Sequence, residues 1–183
     1  MTKAILYSLF ATICFNTTTS FGGDLLTGTP KLACEAILCL SSGTRPGECQ
    51  PSLDVYFGIN FKHWSDTVRA RKNFLNQCPT VSSSNDQSMS TLISAIANGA
   101  GRCDSTYLNS YLRSSGFNRH SISNKLPYYC EVYKSHEYTD HATPVYIGTP
   151  ECGGYWVDSS NYDSELAKYK ANYRCNRFSN RWN

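Results

Sequence analysis

The cysteines constrain this chain more than any other residue type, and their number depends on what becomes of its first residues. The 183-residue sequence holds nine cysteines. Met1-Thr2-Lys3 is a short basic start, Ala4 to Phe15 is apolar, and Asn16 to Ser20 is small and polar. That is the layout of a secretory signal peptide spanning residues 1–20, too short to cross a bilayer and with a cut expected after Ser20. Ile13 precedes Cys14 where a lipidated cysteine would need a small neighbour, so lipidation is rejected. Removing the leader takes Cys14 with it and leaves Cys34, Cys39, Cys49, Cys78, Cys103, Cys130, Cys152 and Cys175. An even set of cysteines in an exported chain reads as a disulfide framework. No later segment reaches the roughly 20 apolar residues of a membrane helix, so no membrane anchor is expected after cleavage.

Metal ligation is the competing use of these thiols. The mature chain also carries His63, His120, His136 and His141, but it has no Cys-x-x-Cys pair. Zinc-ribbon and thioredoxin-like readings therefore lose their main signal, and export favours oxidation. No metal and no cofactor is expected. Cys34 and Cys39 stand about 140° apart around a helix, so they cannot bond each other while that helix is intact. Each must reach a different partner, and Cys49 and Cys78 are the nearest in sequence. One arrangement staples the helix to the Arg45-Pro46 loop on one side and to a helix ending at Cys78 on the other. The connectivity itself stays open.

Hydrophobic residues make up 40% of the chain, enough for a packed core. Residues 33–40 form a short apolar helix ended by Ser41-Ser42-Gly43. Pro51 suits the first turn of a second helix over 51–62, with Leu53, Tyr56, Phe57 and Phe61 on one face. Ser65 caps a third over 66–78, lined by Val68, Phe74, Leu75 and Cys78, with Arg69, Arg71 and Lys72 on a solvated face. Met89, Leu92, Ile93, Ile96 and Ala97 mark an amphipathic helix ended by Asn98-Gly99. Asp104 caps another, carrying Tyr107, Leu108, Tyr111 and Leu112 and stopped by Gly116. Beyond Leu126, PYYCEVY and PVYIG read as two strands joined by KSHEYTDHAT, and GGYWV adds a third extended piece. A last helix runs over 163–175, capped by Asp163 or Ser164, with Leu166, Tyr169 and Tyr173 as its stripe. The expected fold is mainly α with a small C-terminal β element, a disulfide-stapled single globular domain over 21–183. Its helical part covers 33–116, and short strands plus a C-terminal helix cover 127–183.

Few residues suggest chemistry. His136, Glu137, Asp140 and His141 lack the spacing of a helical zinc motif and read as a solvated hairpin loop. Glu35, beside Cys34, and Glu48, beside Cys49, are weak candidates for the acid of a glycan-cleaving enzyme. Each has a plainer reading, Glu35 as a helix N-terminal carboxylate and Glu48 as a loop residue. No Gly-x-Ser-x-Gly occurs, nor a phosphate-binding glycine loop, and the even cysteine count spares no thiol for a Cys-His nucleophile. Three residues suggest contacts instead. Arg45 lies on a loop held between Cys39 and Cys49, and Tyr155 and Trp156 follow Gly153-Gly154, although that pair reads more readily as a turn with Trp156 in the core. The net charge of +3 and the absence of a Lys/Arg run beyond two residues argue against direct nucleic-acid binding. An enzyme is disfavoured, and an interaction module is the favoured class. The 13 tyrosines suit wet cores and contact surfaces.

Specific residues also carry a family resemblance. Ala33-Cys34-Glu35-Ala36 through Cys39-Leu40-Ser41-Ser42-Gly43, then Arg45-Pro46, Glu48-Cys49, Pro51-Ser52-Leu53 and Asn73-Phe74-Leu75 to Cys78-Pro79, resemble the TrbM/KikA family. Tyr129-Cys130-Glu131, Pro144-Val145-Tyr146-Ile147-Gly148 and Gly153-Gly154-Tyr155-Trp156-Val157 are similar too. The resemblance implies a periplasmic accessory of plasmid conjugation in a Gram-negative bacterium, acting in mating-pair formation beside a type IV secretion apparatus. Its partners would be protein components of that apparatus. The resemblance supplies no catalytic residues. Two other classes stay open, a peptidoglycan-cleaving enzyme using Glu35 or Glu48 and a secreted toxin or inhibitor.

Overall fold

The computed structural model describes residues 26–83, 86–116 and 119–172. The expected leader, Tyr173 and Cys175 lie outside these residues. Helix α1, Gly28–Ser41, begins five residues before the expected start at Ala33. Pro30 fits its first turn, where a missing N–H breaks no helical bond. Ala33, Ala36, Ile37 and Leu40 recur at helical spacing and are buried. Cys34 and Cys39 leave the helix in different directions and bond Cys78 and Cys49 respectively. The two-sided staple is therefore present.

Helix α2, Gln50–Gly58, stops short of the expected Lys62. The chain beyond it is claimed by side chains of the next helix. Thr67 Oγ1 accepts the Phe61 N–H at 2.8 Å, and Arg71 Nε donates to the Ile59 carbonyl at 3.1 Å. Leu53 and Tyr56 are buried, whereas Phe57 and Phe61 from the expected apolar face remain exposed. Helix α3, Trp64–Leu75, starts before Ser65, so His63 rather than Ser65 holds the N-cap position. It buries Thr67, Arg71, Phe74 and Leu75. Arg71 was expected on a solvated face but is only 6% exposed. It falls four residues after Thr67 and three before Phe74, which places it on the core stripe.

The one-turn helix α4, Pro79–Ser82, leads toward α5, Gln87–Gly99, which buries Leu92, Ile93 and Ile96. Asp86 caps α5 through the Ser88 N–H at 2.8 Å. Asp104 caps α6, Ser105–Tyr111, by accepting the Tyr107 N–H at 2.7 Å. That helix ends before Gly116, which instead closes strand β1, Arg113–Gly116. β1 pairs antiparallel with β2, Arg119–Ile122, a hairpin absent from the sequence expectation.

The clearest correction concerns PYYCEVY. It is not a strand but the helix α7, Tyr128–Lys134. Aromatic and β-branched composition favours strands only where a pleated surface receives it. Here Pro127 accepts the first helical N–H groups, Cys130 is bonded to Cys103, and Tyr133, three residues on, is buried. That i, i+3 burial fits a helix and not a strand. Gly99 makes the packing of α5 on α7 possible, since a Cβ there would come within 2.6 Å of the Tyr133 Cβ. With α7 helical, the expected hairpin over KSHEYTDHAT does not form. Strand β3, Val145–Ile147, pairs antiparallel with β4, Tyr155–Val157, in the register Tyr146↔Trp156. The segment between α7 and β3 lies along α1, where the Asp140 N–H donates to the Ser41 carbonyl at 2.8 Å.

Helix α8, Tyr162–Ala171, follows a turn, with Asn161 rather than Asp163 or Ser164 at its N-cap position. Cys152 is disulfide-bonded as well, although Cys175 lies outside the described residues. One continuous core links α1, α2, α3, α5, α6, α7 and β4, from Ala33 through Tyr56, Leu75, Ile96, Leu108 and Tyr133 to Trp156.

Candidate binding site

Two chain connections meet at the surface, the one between α2 and α3 and the one between α5 and α6. They enclose an open cleft of about 680 Å³ whose lining includes Phe57, Asn60, Trp64, Arg71, Arg102 and Tyr111. Gly101 makes the second turn possible. Its φ of +79° lies in the left-handed region, and a Cβ would stand 2.8 Å from the Phe57 ring.

Two guanidinium groups dominate the cleft. Arg71 Cζ lies 4.6 Å from the Tyr56 ring centre and 5.4 Å from that of Trp64. Its Nε donates to the Ile59 carbonyl at 3.1 Å and its Nη1 faces the Ala100 carbonyl at 3.5 Å. Arg102 Cζ lies 4.2 Å from the Trp64 ring centre and 4.3 Å from that of Tyr129. Its Nε donates to Tyr107 Oη at 3.0 Å, and the Tyr107 ring stacks on Tyr111 at 5.4 Å. Trp64 thus contacts both cations. Each ring contact of this kind is worth about 0.5–2 kcal/mol, which offsets part of the cost of desolvating the charge.

No carboxylate among the described residues pairs with either cation. Among the described residues the ion pairs are Lys31–Glu35, Asp66–Arg69 and Glu165–Lys168, and none involves Arg71 or Arg102. Burial raises the Tyr129 hydroxyl above its ordinary value, with Arg102 opposing the shift, and burial likewise raises Tyr56 against the pull of Arg71. A guanidinium group keeps its charge at any moderate pH, so Arg71 and Arg102 make the cleft cationic. A disulfide also holds it together: Cys103 follows Arg102, Cys130 follows Tyr129, and the two cysteines are bonded with Cα atoms 5.4 Å apart. The bond fixes the backbone on both sides of the Arg102–Tyr129 contact.

The TrbM family model matches residues 25–170, which include every residue of this cleft. The chain belongs to the TrbM family. No curated protein and no solved structure matches it. Membership makes this a protein associated with plasmid conjugal transfer. Disulfides such as those of α1 form and persist in oxidising compartments, which together with the family indicates an exported TrbM protein. Among the described residues no helix is long and apolar enough to cross a membrane.

The residues singled out in this TrbM chain's sequence lie elsewhere. Glu35 sits on α1 with its carboxylate 3.5 Å from Lys31 Nζ, and Glu48 is exposed in the turn Gly47–Cys49. Neither lines the cleft. Arg45 is exposed on its stapled loop, and its charge acts on the Tyr133 hydroxyl, which donates to the Leu40 carbonyl. Burial pushes the Tyr133 hydroxyl up to about 12 despite that cation. Burial, then Lys134 and Arg45, hold His141 below its ordinary value, although the Leu40 carbonyl accepting from its Nε2 opposes the shift. Trp156 is 5% exposed, with its Nε1 donating to the Ser123 carbonyl, while Tyr155 is half-buried and donates to Glu165 Oε2 at 3.0 Å. His136 meets Thr91 Oγ1 at 3.0 Å. Among the described residues no group of His, Cys, Asp and Glu could hold a metal ion.

Sequence reasoning missed Trp64, Arg71 and Arg102. For Arg71 a signal existed in its spacing from Thr67 and Phe74. Arg102 sits in the irregular Gly-Ala-Gly-Arg-Cys turn, where no periodicity can flag a residue.

Proposed function

We propose that this chain is a periplasmic accessory of plasmid mating-pair formation, acting beside a type IV secretion apparatus as a protein-interaction module. Family membership and the disulfides support the setting. The observation that carries the interaction reading is the cleft, an open aromatic surface with two cations and no carboxylate in its lining. Tyr, Trp and Arg are the residue types that most often dominate binding energy at interfaces. Arg45 and Tyr155 are further contact candidates, each on a loop or strand pinned by a neighbouring staple.

The test is transfer frequency from a donor lacking the gene, complemented with wild type or with Glu35→Gln/Glu48→Gln. Deletion should lower transfer, and both versions should restore it at equal periplasmic levels. Rescue by wild type alone would replace the interaction reading with a hydrolase. No loss on deletion would remove the role in mating-pair formation. A photo-crosslinking residue at exposed Tyr111 should trap an identified component of the apparatus, and the same residue at exposed Leu38 on α1 should not.

A further inference from the structure

Resting on the interaction reading, the cleft's chemistry narrows what it takes. Arg102 uses Nε on Tyr107, and among the described residues no acceptor takes Nη1 or Nη2. Neither nitrogen is a buried orphan, unlike Tyr129 Oη, so both reach solvent. Arg102 Cζ lies over the Trp64 and Tyr129 rings, with the Tyr107 and Tyr111 rings 5.5 and 5.6 Å away, and Nη1 and Nη2 are the donors that remain. In-plane paired N–H groups match a carboxylate in bidentate fashion. Apolar surfaces line the same cleft, with Phe57 36% and Tyr111 56% exposed.

We propose that the cleft binds an acidic peptide segment of a partner protein. A carboxylate sits on the Arg102 edge, and an adjoining aromatic or apolar side chain lies against Trp64, Phe57 and Tyr111. Charge complementarity selects the anion, since two guanidinium groups line the space and among the described residues no carboxylate pairs with them. A volume of about 680 Å³ lies within the usual range of small-ligand pockets. Nucleic acid fits less well, because its affinity grows from many phosphate contacts and this chain carries a net charge of only +3. Neutral sugars offer the guanidinium groups hydroxyl acceptors but no opposite charge.

The test uses the oxidised chain, ¹⁵N-labelled and purified from the periplasm. It is titrated with acetyl-Phe-Glu-Phe-Asp-amide, with the Gln/Asn twin of that peptide, with chitotriose and with the oligonucleotide dT4. The acidic peptide should shift the Trp64 indole and Arg102 signals with a Kd of about 1 mM or tighter, and the twin should bind about tenfold more weakly or worse. Arg102→Gln should abolish the difference between the peptides while the Trp156 indole signal stays in place. Tyr111→Ser, at an exposed position, should weaken the acidic peptide several-fold and serves if Arg102→Gln does not fold. Equal binding of the twin, tighter binding of chitotriose or dT4, or no shift at all overturns the proposal. Transfer assays separate the two levels of failure. If deletion lowers transfer and Arg102→Gln restores it fully, the cleft proposal falls and the interaction reading survives. If deletion has no effect, the interaction reading falls first.

Discussion

The α1 staples should contribute unequally to stability, in an order set by loop length. Cys34 and Cys78 are separated by 44 residues and Cys39 and Cys49 by 10. Closing a loop in the unfolded chain costs entropy that grows with the logarithm of its length. The outer bridge is then worth about 4 kcal/mol, trimmed to about 3.8 kcal/mol because the inner bridge shortens its loop, and the inner bridge about 2.7 kcal/mol. Packing works against this order. Cys39 and Cys49 are both buried, whereas Cys34 is only half-buried beside buried Cys78, so truncation removes more from the inner pair. The assay is urea unfolding of Cys34→Ala/Cys78→Ala and of Cys39→Ala/Cys49→Ala under non-reducing conditions, followed by far-UV circular dichroism. The outer pair should cost about 1 kcal/mol more than the inner pair. An inner-pair loss equal to or larger than the outer would refute the entropic account and make local packing of the Arg45 loop the governing term.

Two further outcomes test the packing around α7. Gly99→Ala should lower stability by about 1–3 kcal/mol although alanine is the better helix former, because its methyl meets the Tyr133 Cβ; an unchanged melting temperature would contradict that contact. His141 is held below its ordinary value of 6.5 in the folded chain. As pH falls through about 6.5 the unfolded state takes up this proton first, so stability declines with falling pH until the depressed folded value is passed. The melting temperature of wild type should therefore drop between about pH 7.5 and pH 5 more than that of His141→Gln, and parallel declines would exclude His141 as the cause.

Legibility in the sequence followed the physics of each element. The α5 helix was readable because apolar residues repeat along one face, and Asp104 because a cap is a local device. The divergence of Cys34 and Cys39 was readable from helix geometry alone. PYYCEVY was not, since its composition suits a strand and only burial of Cys130 and Tyr133 against distant elements makes it helical. The exact extent of α2 was hidden for a similar reason. Its final turn is undone by Thr67 and Arg71, which bind the Phe61 and Ile59 backbone from the next helix. Arg71 looked like one charge among three on a basic helix, yet its backbone acceptors Ile59 and Ala100 lie 12 and 29 residues away.

The cysteines and the cleft turn out to be one construction. An arginine stacked on two rings keeps its place only if the rings do, and neither Trp64 nor Tyr129 lies near Arg102 in sequence. Trp64 is fixed as the first residue of α3, whose far end runs to Cys78 and so to α1. Tyr129 is fixed by the adjacent Cys130, bonded to the residue after Arg102. Two covalent links thus hold the two rings over which the guanidinium lies, and preorganisation of that kind spares a ligand the cost of ordering the site. Reduction of Cys103–Cys130 should consequently weaken acidic-peptide binding more than loss of Cys39–Cys49 does, even though both bridges join buried cysteines. A reduced or Cys103→Ala/Cys130→Ala chain that folds and still binds the peptide with unchanged affinity would separate the staple from the site.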